Sequence, residues 1–475
     1  MATNLFFSRD TKVYIELFNS SGASTGVFEV PVLDGFSFSQ AQNSTEVTLA
    51  EMENSAGVSK RGRRVFNDSL APVEWSFATY VRPFESAGED VAGNANKRTG
   101  TNGHTQHAVE EALWAMFVGA ADYVATTTSA NATLTGITSD STDMDIDFSN
   151  SNKSLLGVGN IYFSLSDGDA NPKVYKCTDA VVNEASLDFD IDGIATINWS
   201  GFASTLVEAS KPTRTVFEGI NATNNYIRNR LTQLTIDSAD PVTFPGNQTN
   251  VTGITKGSTT SFAAAGHGLS AGDSIGFIGN TGITDSGTEA FGGLTFTVLA
   301  ATDANNFTVD VNSSGFANSY GGSGTSVGDG VYSLTLTGGS VTMTNNITYL
   351  TPETIGSVNT PIGHVSGARS ISGAFTCYLA FDTSDNDGTS TDFFNDMTSA
   401  TAKTKVVNSF ATTFKVGGSS ATPRLELAFP TAHFEIPAHA IEDVISVETT
   451  FQALPSTIDS TNEATIKYVG TTPDV

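Results

Sequence analysis

Apolar and polar positions alternate with a period of two through most of the chain, most cleanly in residues 66–84. There Val73, Trp75, Phe77, Thr79 and Val81 fall on one side, and Glu74, Ser76, Ala78 and Tyr80 on the other. That pattern predicts a strand packed on one face. Pro72 and Pro83 lack an N–H and are expected to stop its ladder at either end. Shorter alternating runs predict strands at residues 12–18, 27–32, 45–49, 143–148, 161–165, 173–177, 185–191 and 194–199. A helical period appears at residues 105–119, where Val109, Leu113, Met116 and Phe117 make an apolar stripe. Thr105 can cap that helix and Gly119 can end it, with His104 and His107 expected as surface residues at its mouth.

The same succession returns in the second half. Residues 225–236 match the first strand, 331–344 match 27–40, and 370–379 match the central strand. Residues 391–397, with Phe393, Phe394 and Met397 on one side, match the helix; 425–429, 432–436 and 444–451 match the closing strands. The chain therefore reads as mainly β, with two tandem β-sandwich or barrel domains, 1–224 and 225–475, each carrying a short helix. Residues 237–329 interrupt the second where the first has only the hairpin tip 19–26, and they read as an inserted small all-β module. Exposed tips tolerate such insertions because no core is interrupted.

Composition fits this texture: 45 Gly and 14 Pro among 475 residues, 39% hydrophobic, suit many short strands joined by turns. The N-terminus lacks a basic start and a long apolar run and is expected to be a poor signal peptide. No apolar run is long enough to span a bilayer, so membrane insertion is not expected. Cys177 and Cys377 are too few for a disulfide framework or zinc cluster and are expected to be buried free thiols.

Fifty acidic against 23 basic side chains give a net charge of −27. Such a balance repels phosphates and removes the electrostatic contribution on which tight nucleic-acid binding rests. Four scarce cations, Lys60, Arg61, Arg63 and Arg64, gather in residues 51–64. That stretch reads as a solvated loop, or as a contact arm steered onto an acidic neighbour. Asp188, Asp190 and Asp192 open like a calcium loop, but its twelfth position is Trp199 instead of a bidentate Glu. With Asp143, Asp145 and Asp147, they read instead as acidic strand faces turned to solvent or to a channel. No phosphate loop, zinc-protease motif or nucleophile elbow occurs. No catalytic, metal or cofactor residues are assigned, and no enzyme activity is expected.

Several stretches together resemble the bacteriophage tail tube proteins. They are Asp34-Gly-Phe-Ser-Phe-Ser, the run from Phe66 through Phe77, the short helix, and the endings Asn198-Trp-Ser-Gly-Phe and Phe451-Gln-Ala-Leu-Pro. The resemblance implies a β-sandwich flanked by a helix, with long strands that pair between subunits around a channel. For a doubled chain it implies homotrimeric, pseudo-hexameric stacked rings in a virion tail, with Lys60, Arg61, Arg63 and Arg64 on an inter-ring arm. It also implies an acidic bore that passes DNA without tight binding, and tail partners such as a terminator, a baseplate or tip, and a tape measure. The alternative is a trimeric fibre or adhesin that engages cell-surface glycan through the inserted module.

Overall fold

The computed structural model describes residues 6–18, 22–47, 64–85, 106–118, 137–139, 142–148, 156–165, 172–214, 225–322, 325–355, 357–380, 388–405, 408–417, 423–458 and 460–470. It is mostly β. The first half contains β1 (Lys12–Phe18), β2 (Ser24–Val30), β3 (Ser37–Val47), β4 (Arg64–Tyr80), α1 (Glu111–Val118), β5 (Asp143–Asp147), β6 (Gly159–Leu165), β7 (Lys173–Asp190), β8 (Thr196–Ala203) and β9 (Thr205–Ala209). The second contains β10 (Gln233–Ser238), β11 (Val331–Thr344), β12 (Ser370–Tyr378), α2 (Ser390–Thr398), β13 (Phe410–Val416), β14 (Arg424–Phe434), β15 (Ala438–Ile441), β16 (Ile445–Ala453) and β17 (Thr465–Val469).

Two layers account for the packing. One is a single long antiparallel sheet in the order β3–β4–β8–β7–β11–β12–β16, which ends on the C-terminal part of β14 and on β15. Behind it lie two smaller sheets. In the first half the order is β2–β1–β6–β7–β9, using the N-terminal part of β7. In the second it is β11–β10–β13–β14–β17, using the N-terminal parts of β11 and β14. The strand order is the same in both. The bulges agree as well: Cys177 to Ala180 spans three residues against two between Ile161 and Gly159, and Phe429 to Ala432 spans three against two between Thr412 and Phe410.

Alternation explains the core. Val73, Trp75, Phe77, Thr79 and Val81 are all buried, the phase expected of a one-sided strand. Trp75 lies over Gly201 on the neighbouring strand, where a Cβ would fall 2.6 Å from the indole. In the second half the partners exchange strands: the Phe451 ring of β16 lies over Gly373 of β12, where a Cβ would again fall 2.6 Å away. A large ring against a glycine fills one layer of core from either side.

Pro72 does not stop the ladder, contrary to the sequence reading. β4 runs through it because the pairing with β3 jumps from Gln40–Val73 to Gln42–Leu70. The bulge takes a residue without an N–H out of the hydrogen-bonded register. Likewise 173–177 and 185–191 are parts of one 18-residue strand.

The first helix is shorter than expected, and Gln106–Ala108 is a strand. All eight residues of α1 are buried, so no polar face remains. His107 is also buried, not at the surface; its Nδ1 lies 3.0 Å from Glu111 Oε2. Glu110 accepts a hydrogen bond from Tyr468 Oη at 2.6 Å, and Tyr468 Oη accepts one from Trp114 Nε1 at 2.8 Å. Burial pushes the Glu110 carboxyl up to about 7 despite the Tyr468 hydrogen bond. The second half repeats the motif. Tyr332 Oη donates to Asp396 of α2 at 2.7 Å, and burial raises that carboxyl to about 6.

The segment between β10 and β11 forms its own seven-stranded sheet, with a separate core that includes Phe262, Ile275, Phe277, Phe291 and Phe307. Its two ends meet: Gln248 pairs with Gly328, and a Cβ on Gly328 would fall 2.7 Å from Pro245. Cys177 and Cys377 are both free and buried.

Candidate functional site: the polar face and open edges of the long sheet

The side of the long sheet away from the core carries the out-of-phase residues of every strand. Ser37 and Ser39 come from β3; Glu74, Ser76 and Ala78 from β4; Thr196, Asn198 and Ser200 from β8; and Glu184, Ser186, Asp188 and Asp190 from β7. Ser340 and Thr342 follow from β11, Ser372, Ala374 and Thr376 from β12, Glu448, Thr450 and Gln452 from β16, and His433 with Glu435 from the last edge. Short hydroxyl and methyl side chains cover most of it. Its charges are carboxylates, and no Lys or Arg stands among these described positions. The hydroxyls satisfy one another across strands: Ser37 Oγ lies 2.8 Å from Ser76 Oγ, and Ser186 Oγ lies 3.1 Å from Thr342 Oγ1. Such a face offers a polyanion no cation to grip.

The candidate acidic residues divide between two places. Asp188 and Asp190 are exposed on this face, and Asp192 follows in the turn, 3.6 Å from Arg230. Asp143, Asp145 and Asp147 lie elsewhere, on β5, which extends the second half's smaller sheet by pairing with β17. There Lys467 Nζ reaches Asp143 at 3.0 Å and Asp145 at 3.4 Å. Glu74, Glu184, Glu435 and Glu448 join the face without having been singled out. The signal that finds them is phase, since each stands one residue from a buried strand position.

Lys60, Arg61 and Arg63 lie outside the described residues. Arg64 begins β4, exposed, with its guanidinium 5.2 Å from the Phe66 ring. At the same end of the sheet a second hairpin, Ile347–Leu350 with Gly363–Ser366, projects from the second half. Its loop leans on β4, where the Asn359 N–H donates to Asp68 O at 3.1 Å and the Leu70 N–H donates to Asn359 O at 2.8 Å. Ile355, Val358, Ile362, Val65 and Phe66 are exposed at this end; Ile191, Ile194, Tyr378, Ile441 and Val444 are exposed at the other.

Both outer edges of the long sheet are open among the described residues. Residues 37–40 pair only with β4, and residues 438–441 only with β16. An unpaired edge is a template for a further strand.

Over 473 residues the chain is 26% identical to the tail tube protein pb6 of Escherichia phage T5, an alignment spanning 98% of this chain and 76% of that one. Over nearly its whole length the chain is thus similar to a bacteriophage tail tube protein. No protein-family model matches this chain. Among solved structures it is similar to the sheath/tube terminator of an extracellular contractile injection system in its extended state. That likeness has 9% identity and a TM-score of 0.22 and covers 44% of this chain and 100% of that one. No described helix of this chain is long and apolar enough to cross a membrane.

Proposed function

We propose that this chain builds the tube of a phage virion tail and that its polar sheet face lines the bore through which the genome passes. Its role is structural and not enzymatic. Residues 1–224 and 225–475 act as two copies of one tube domain, the second interrupted by the module at 237–329. Three chains then close a pseudo-six-fold ring. The observation that carries this reading is the long sheet itself: two halves of like strand order joined edge to edge, with an open edge at each end. Closure removes both edges.

Rings stack head to tail. Apolar side chains stand at both ends of the sheet and differ between the ends, which suits a heterologous contact that propagates instead of closing. The arm at 51–64 and the hairpin ending at Ser366 make the ring-to-ring contact, and terminator, tip and tape measure meet the tube at its ends and in its bore. The carboxylates of the face keep DNA sliding, because adhesion to phosphate needs cations the face lacks.

Electron microscopy of the purified chain tests this directly. Long tubes with three-fold averages are expected, and DNA should not be retained at low salt. Discrete trimers that never elongate and that bind cell-surface glycan would instead make the chain a fibre or adhesin.

A further inference from the structure

The chain contains a worked example of its own ring contact, because its two halves meet where β7 pairs with β11. Ser186 stands opposite Thr342, Leu187 opposite Val341, and Asp188 opposite Ser340. This joint can be translated to the open edges residue by residue. Gly201 faces Trp75 as Phe451 faces Gly373, which places β8 on β16 and β4 on β12. Ser186 pairs with Asn198 as Ala438 pairs with Glu448, so Ala438 holds the place of Ser186. Thr342 pairs with Ser372 as Ser39 pairs with Glu74, so Ser39 holds the place of Thr342.

We infer that β3 of a second copy of this chain adds antiparallel to the 438–441 edge in one register: Ser39 opposite Ala438, Phe38 opposite His439, and Ser37 opposite Ala440. This deepens the ring reading and rests on it. The local geometry agrees. In the first half, β7 leaves the smaller sheet after Ala180, opposite Gly159, and then meets β11. In the second, β14 leaves after Ala432, opposite Phe410, and then pairs with β16, its other side unpaired among the described residues.

The contact between copies is also the weaker of the two. At the internal joint Ser186 Oγ and Thr342 Oγ1 share a hydrogen bond, whereas Ala438 has no hydroxyl to offer Ser39. The internal joint has a second strap, β5 of the first half paired with β17 of the second over five residues. No described strand of the second half repeats it. Pro437 interrupts the accepting edge besides. The ladder between copies therefore depends on backbone pairing over a few residues, and a ring under stress opens there first.

The test uses engineered cysteines, since Cys177 and Cys377 are buried and free. Assembled Ser39→Cys/Ala438→Cys protein under mild oxidation should give a covalent trimer on a non-reducing gel, because directly opposed strand residues lie within disulfide reach. Ser37→Cys/His433→Cys, separated along the strands, should stay monomeric. Rings that cross-link through Ser37→Cys/Ala438→Cys in place of the 39/438 pair would overturn the register and leave the ring standing. Absence of rings in the unaltered protein would overturn both. Should the cysteine variant fail to assemble, hydrogen exchange on the unaltered chain decides. Amides of residues 37–40 and 438–441 should slow at least tenfold on assembly, and unchanged exchange there would overturn the proposal.

Discussion

The two halves solve one construction problem in two ways. In the first, the chain passes from the smaller sheet to the long sheet through a break between β2 and β3 that holds Pro31 and Gly35, the latter at φ +99°. In the second, one strand, β11, serves both sheets, bending where its pairing with β12 slips between Leu336 and Gly338. That half closes a six-stranded barrel, β11–β10–β13–β14–β16–β12 and back to β11. Among the described residues the first stays open at the break. The comparison teaches that strand order and core phase are what the halves share, while the corner between layers is made with whatever local chemistry permits a bend. The ring–glycine contact makes the same point, since the large residue may sit on either strand.

Breaking that contact should have the largest effect. Trp75→Ala and Phe451→Ala each empty a buried ring's volume and should cost about 3–5 kcal/mol by chemical denaturation. Near-equal losses would mark the sites as equivalent. Filling the opposite side comes next. A Cβ at Gly201 would fall 2.0 Å from Val181 O, and one at Gly373 2.6 Å from Ser340 O. Each Gly→Ala change should then destabilise by roughly 1–3 kcal/mol, with Gly201→Ala the worse.

The buried carboxyls sharpen the comparison through pH. Glu110 is raised from 4.5 to about 7 and Asp396 from 3.8 to about 6. The native state therefore holds a proton that the unfolded chain releases earlier. Their contribution is full below the unfolded values and is lost as pH rises through about 6 and then 7. Thermal stability should fall between pH 5 and pH 8, by on the order of 3 kcal/mol for Glu110. Glu110→Gln should flatten most of that slope and Asp396→Asn a smaller part.

The smallest effect is expected from the module. Deleting residues 246–326 joins ends that already touch at Pro245 and Gly328 and leaves the main core intact. The cost includes the hydrogen bonds from the Gly246 N–H to Asp396 and between Asn247 and Asp329, about 1 kcal/mol each. Melting should shift by a few degrees and tubes should still form; their loss would place the module in the assembly contacts.

Local alternation made the strands and their buried phase legible, because a period of two is imposed by backbone geometry and needs no knowledge of neighbours. That is why Val73 through Val81 could be read directly and why Phe393 and Met397 of α2 are buried as their spacing suggests. The burial of His107 and Glu110 was not legible, because it depends on Tyr468, some 358 residues away from Glu110. Nor was it legible which aspartates share a face. Asp143 and Asp188 have like surroundings in sequence, yet pairing partners carry them to different sheets. Pro72 likewise reads as a stop until the bulge that accommodates it is seen. Residue pattern alone thus set out a β-rich chain of recurring strands, the dry side of each, and a resemblance to tail tube proteins. Only the tertiary structure decided which strands adjoin, which carboxylates gather on one face, and which edges are left open, because these follow from contacts between residues far apart along the chain.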